Sequence, residues 1–86
     1  MKKDIMLTEL EAGIPARVLQ ILGGTNFLRK LESLGIRPGV IIRKVSSQFG
    51  RGPVTIQVGK TQVAIGYGMA QKISLENLSE EDNISG

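Results

Sequence analysis

The chain has 86 residues, a formal net charge of +3 and 41% hydrophobic residues, with no Cys and no His. That length supports one domain around a single modest core. The missing residue types exclude disulfide support, metal sites built on thiolate or imidazole, and His-dependent acid–base catalysis.

Leu7-Thr8-Glu9-Leu10 reads as one helical turn, with Leu7 and Leu10 on one side, stopped by Gly13 and Pro15. Ala16 to Leu22 reads as a strand whose apolar positions, Ala16, Val18 and then Ile21, slip out of alternation. A bulge, with one extra residue, or a barrel corner accounts for the slip. Gly23-Gly24 is a turn, and Thr25 is the expected N-cap of a helix running to about Leu34. Phe27, Leu28, Leu31 and Leu34 give that helix its apolar stripe. At this length the helix must be held by packing on a sheet.

Gly35 suits the left-handed position just past the helix, where a Cβ would be penalised, and Ile36 is placed to pack back on the last turn. Pro38-Gly39 fits the two central positions of a type II turn. Val40 to Val45 is then a strand, and Ser46 to Pro53 a polar loop with Phe49 and Arg51 near its tip. Val54, Ile56 and Val58 alternate with Thr55 and Gln57, and Gly59-Lys60 forms a two-residue, Gly-first hairpin loop of type II′. Thr61 to Ile65 returns with Val63 and Ile65 inward, Gly66 to Gln71 holds a short helical turn, and Lys72 to Leu75 is a last strand. Residues 1–78 thus form the domain, and 79–86, carrying Glu80, Glu81 and Asp82, an acidic tail expected to be disordered. Five short strands, tight turns and one helix predict a mainly β fold: a small SH3-like β-barrel with one inserted short α-helix and short helical turns. An oligonucleotide-binding barrel is the alternative.

No nucleophile–base pair can be assembled from these residues, so no enzyme and no cofactor are expected. Gly66-Tyr67-Gly68 lacks the third glycine of a dinucleotide fingerprint, and Gly50-Arg51-Gly52-Pro53 lacks the Lys-Ser/Thr ending of a phosphate-binding loop. Both read as turn glycines. No metal site is expected, the acidic tail offering no loop geometry to hold a cation. Between Arg29 and Lys60 stand seven basic residues and one acid, Glu32. These residues read either as a solvated face or as one that attracts an acidic partner or an anionic membrane surface, and small basic barrels also bind nucleic acid. Only Phe27, Phe49 and Tyr67 could offer stacking platforms, however, so specific nucleic-acid recognition is not expected. No apolar signal region follows Met1-Lys2-Lys3 and no segment is long and apolar enough to span a bilayer, which leads to the expectation of a soluble, cytoplasmic chain, peripheral to a membrane at most.

From Leu7 to about Leu75 the chain resembles FeoA-type ferrous iron transport accessory proteins. The recurring pieces stand in order: Leu7-Thr8-Glu9-Leu10 with Gly13, Ala16-Arg17-Val18 to Ile21 with Gly23-Gly24, Leu31 to Gly39, Gly52-Pro53-Val54, Val63-Ala64-Ile65-Gly66, and Met69-Ala70-Gln71-Lys72-Ile73. The resemblance implies a non-enzymatic, cytosolic accessory protein of ferrous iron uptake. Its implied partner is the FeoB-type permease, met at the cytosolic face with its GTPase domain. Many family members carry Arg where this chain has Tyr67. Rigid small scaffolds commonly act through exposed loop groups. The candidate partner-binding residues are accordingly Tyr67 and Met69, then Phe49 and Arg51 in the long loop. An open barrel edge would also allow a homo-oligomer.

Overall fold

In the computed structural model, the structure describes residues 4–45 and 52–78. The elements are β1 (Asp4–Met6), a 3-10 turn (Leu7–Glu9), β2 (Pro15–Ile21), α1 (Thr25–Ser33), β3 (Ile41–Lys44), β4 (Val54–Val58), β5 (Thr61–Ile65), α2 (Tyr67–Ala70) and β6 (Ile73–Asn77). The strands form one antiparallel sheet in the order β1-β6-β2-β3-β4-β5. The mainly β class with one inserted helix is the one expected. The described residues form six strands rather than five, because the three residues of β1 find a partner in β6. The hydrogen-bonded ladder stays open, with β1 and β5 at its two ends. On one face of it Ala16, Val18, Ile42, Ile56, Val63, Ile73 and Leu75 meet Leu7, Leu10, Leu31 and Ile36 in one core.

Short joints set the geometry. Val58 pairs with Thr61 across Gly59-Lys60. Gly59 takes φ +60° and Lys60 does not take positive φ, as a type II′ loop requires. At the end of α1, the Gly35 N–H donates to the Glu32 carbonyl and the Ile36 N–H to the Leu31 carbonyl, each at 2.9 Å. These are the two bonds of a Schellman motif, with Gly35 at φ +88°. The Val40 N–H then closes the Pro38-Gly39 turn on the Arg37 carbonyl. This turn is bonded to β2: the Gly39 N–H donates to the Val18 carbonyl, and the Val18 N–H to the Val40 carbonyl.

The β2–β6 register shifts between Val18 and Gln20. Leu19 is the extra residue. Val18 and Ile21 face Leu75 and Ile73 across the ladder, while Leu19 and Gln20 are both exposed. The slip in alternation is therefore a bulge, one of the two causes the spacing allows.

Two sequence expectations need correction. Gly24, not Thr25, is the N-cap of α1 and offers no side-chain cap bond; Thr25 already lies in the first turn. The apolar stripe is only partly core, for Leu31 is buried while Leu28 and Leu34 remain exposed. The loop residues 46–51 and the tail 79–86 lie outside the described residues.

Among the described residues two charged groups are buried. Glu76 on β6 accepts from Arg17 Nη1 at 3.0 Å. Lys44 is only 4% exposed, and its Nζ donates to the Leu10 carbonyl at 2.7 Å. With Arg43 Nη1 on the Gly13 carbonyl and the Gly13 N–H on the Lys44 carbonyl, it ties the loop after the 3-10 turn to β3. Desolvation lowers the Lys44 pKa from its ordinary value. The unfolded chain then holds the proton at pH values where the folded chain has lost it, so this residue makes stability rise with pH between the folded and the ordinary lysine pKa. Lys44→Ala is expected to cost about 1–3 kcal/mol at neutral pH, since the Leu10 carbonyl loses its donor. It should also remove that alkaline rise, which urea titrations of both proteins over a pH series would show.

Candidate docking surface

The bulge, the helix and the turn enclose one apolar groove. Its volume is about 290 Å³, and its walls are Leu19, Gln20 and Ile21 of β2, Leu28 and Glu32 of α1, and Ile36, Arg37 and Pro38. Each wall has a local cause. The bulge turns Leu19 outward beside Gln20. The Schellman motif folds Ile36 back against Leu31, where it is buried and floors the groove. The Gly39–Val18 bond holds the Pro38 turn against the bulge. Leu28, one helical turn before Glu32, completes the side formed by α1.

Leu19 is 37% exposed and Leu28 39% exposed, and each lines the groove with an apolar side chain. Glu32 and Arg37, both exposed, add one charge of each sign to the lining. This is surface chemistry suited to a partner's apolar side chain, with a polar rim to fix its orientation. A second, more polar hollow of about 210 Å³ lies over Pro15, Ile41, Ile42, Arg43, Gln57 and Gly59, and has no comparable apolar wall. Among the described residues no three Asp or Glu side chains gather in a way that could hold a metal ion. No described helix is long and apolar enough to cross a membrane.

The candidates named from sequence fall elsewhere. Tyr67 and Met69 belong to α2, which packs on the 3-10 turn and contributes nothing to the groove. Tyr67 is half-buried, and Met69 is 40% exposed. Phe49 and Arg51 lie outside the described residues. Phe27 is half-buried, with the Lys72 Nζ 5.7 Å from its ring centroid, so it is occupied rather than offered as a stacking platform. Sequence reasoning missed Leu19 and Leu28. The signal for Leu19 was present, since the residue inserted by a bulge leaves the alternation and has no reserved place in the core. Leu28 sits in a helical stripe that looks like core until the width of the sheet beneath it is known.

The FeoA domain family matches residues 5–77. An iron uptake regulatory protein (FeoA) of known crystal structure is 36% identical, with a TM-score of 0.79 over 86% of this chain and 97% of its own. The FeoA-like protein of Clostridium acetobutylicum is 24% identical, with a TM-score of 0.76 over 91% of each chain. A manganese-dependent transcriptional repressor reaches a TM-score of 0.80 at 20% identity, over 90% of this chain and 43% of its own, a likeness of fold. No curated protein matches the chain.

Proposed function

We propose, from the premise that this chain belongs to the FeoA domain family, that it is a non-enzymatic cytoplasmic accessory protein acting by docking on an FeoB-type ferrous iron permease. Involvement in ferrous iron transport follows from the family. The docking reading is supported chiefly by the groove between the bulge and α1. Leu19 and Leu28 supply apolar contact, the buried Ile36 a rigid floor, and Glu32 with Arg37 a polar rim. Backbone hydrogen bonds within the fold hold these walls, so little ordering cost falls on binding. The exposed Met69 and half-buried Tyr67 on α2 form a second, smaller contact region. Residues 1–78 act as one docking domain, with 79–86 as an acidic tail. A nucleic-acid-binding barrel is not favoured: the 20% identity with a repressor carries the fold alone, and the chain has only two Phe and one Tyr to stack on bases.

The test is binding of the purified chain to the detergent-solubilised permease of its own organism at low and high salt. Saturable binding that survives high salt is expected, as an apolar contact is screened far less than an ionic one. Absence of binding between folded protein and active permease would overturn the proposal.

A further inference from the structure

Among the described residues the open ladder leaves β5 bonded on one side only. The hairpin loop decides which of its groups face outward. In a two-residue hairpin the closing pair, Val58 and Thr61, exchanges backbone bonds, and such pairs alternate along the ladder. Thr61, Val63 and Ile65 therefore turn their N–H and C=O groups to β4, whereas Gln62 and Ala64 turn theirs away. The opposite side of β4 agrees: Thr55, which faces Ala64, gives its carbonyl to the Val45 N–H on the β3 side. Among the described residues no backbone group bonds to Gln62 or Ala64 from outside the sheet, and both residues are exposed.

Natural edge strands are usually guarded by charge, proline, a bulge or shortness. The other edge here has two of these: β1 is three residues long and begins with Asp4. β5 has none, being Thr-Gln-Val-Ala-Ile in regular register along its whole length.

We propose that β5 is a self-association site at which a second copy of this chain adds its own β5 in antiparallel register. With the two-fold axis through Val63, Gln62 of each copy lies opposite Ala64 of the other. All four outward donors and acceptors of each strand then find partners. Val63 meets its symmetry mate on the core face, which continues the apolar row of one sheet into the next. The strand carries no charge, so like meets like without repulsion. Pairing of five-residue strands buries well under the ~1,200 Å² of a standard interface, so the dimer is weak and concentration-dependent. This inference is independent of the permease reading and uses a different surface.

The test is residue-resolved amide hydrogen exchange on the full chain at ~10 µM and ~1 mM, the range in which so small an interface acts. The expected result is that the Gln62 and Ala64 amides exchange at least about tenfold more slowly at the higher concentration, while other exposed amides do not change. Ala64→Pro removes an outward N–H without breaking a bond to β4, and should abolish the effect at Gln62. Ala64→Lys keeps the backbone unchanged and places two like charges at diagonal positions across the junction, with the same expected loss. Equal exchange at both concentrations overturns the proposal, as does concentration-dependent protection at the groove instead. Protection at Gln62 that persists in Ala64→Lys overturns it too.

Discussion

On the docking proposed above, replacing Leu28 by Asp is expected to weaken binding to the permease by about 30-fold or more, the loss of about 2 kcal/mol typical of a truncated hot spot. Leu28 lines the groove beside Leu19, and a partner seated there would bury the new carboxylate against apolar walls. The fold should hardly register the change. Leu28 is 39% exposed and follows the N-cap Gly24 within the first helical turns, where an acid is favoured by the helix dipole. The melting midpoint should therefore stay close to that of the parent, within about 0.5 kcal/mol of stability. Met69→Asp, on the smaller contact region, should cost less than about tenfold. Parent-like affinity in Leu28→Asp would remove the groove from the interface, and a larger loss in Met69→Asp would move the interface to α2.

Leu75→Ala should produce the largest loss of stability. Leu75 has no exposed surface, and its strand β6 pairs with both β1 and β2, opposite Ile5 and Val18. Truncation removes transfer free energy and leaves a cavity walled by strands that are tied on both sides and cannot collapse. The expected cost is about 2–5 kcal/mol. A chain of this size has only roughly 4–13 kcal/mol in all, so a sizeable unfolded fraction at physiological temperature is the expected outcome. Urea denaturation measures it directly. Leu75→Met, which keeps the volume, should cost less than about 1.5 kcal/mol; equal losses in both variants would show that shape rather than cavity governs the site.

Local chemistry made much of this fold legible. Gly35 with Ile36, Pro38-Gly39 and Gly59-Lys60 are turns whose backbone angles restrict the residues that fit, so their residues announce them. The broken alternation at Leu19 announced the bulge in the same way. β1 could not be read, because a three-residue strand has almost no pattern of its own and exists through pairing with residues at the far end of the chain. Lys44 looked like a surface charge and is buried, since its long side chain reaches a backbone carbonyl that only the folded loop brings near. The groove was hidden for a related reason. Its walls come from β2, α1 and the turn before β3, and no linear motif records that these three meet. Tyr67, Met69, Phe49 and Arg51 carry the chemistry of a contact, but the sequence does not say which neighbours complete a surface around them.

The position of β6 has a consequence for biosynthesis. The last described strand is inserted between the first two, so β1 has no described ladder partner until β6 has left the ribosome. The β4–β5 hairpin and the helix-to-turn joint involve neighbours in sequence and can form while the chain is still growing. The N-terminal strands must wait, with one flank of β2 and all of β1 open to wrong pairings. A nascent chain whose β6 has not yet emerged should therefore be sensitive to protease at its N-terminal end, and emergence of β6 should reverse that property.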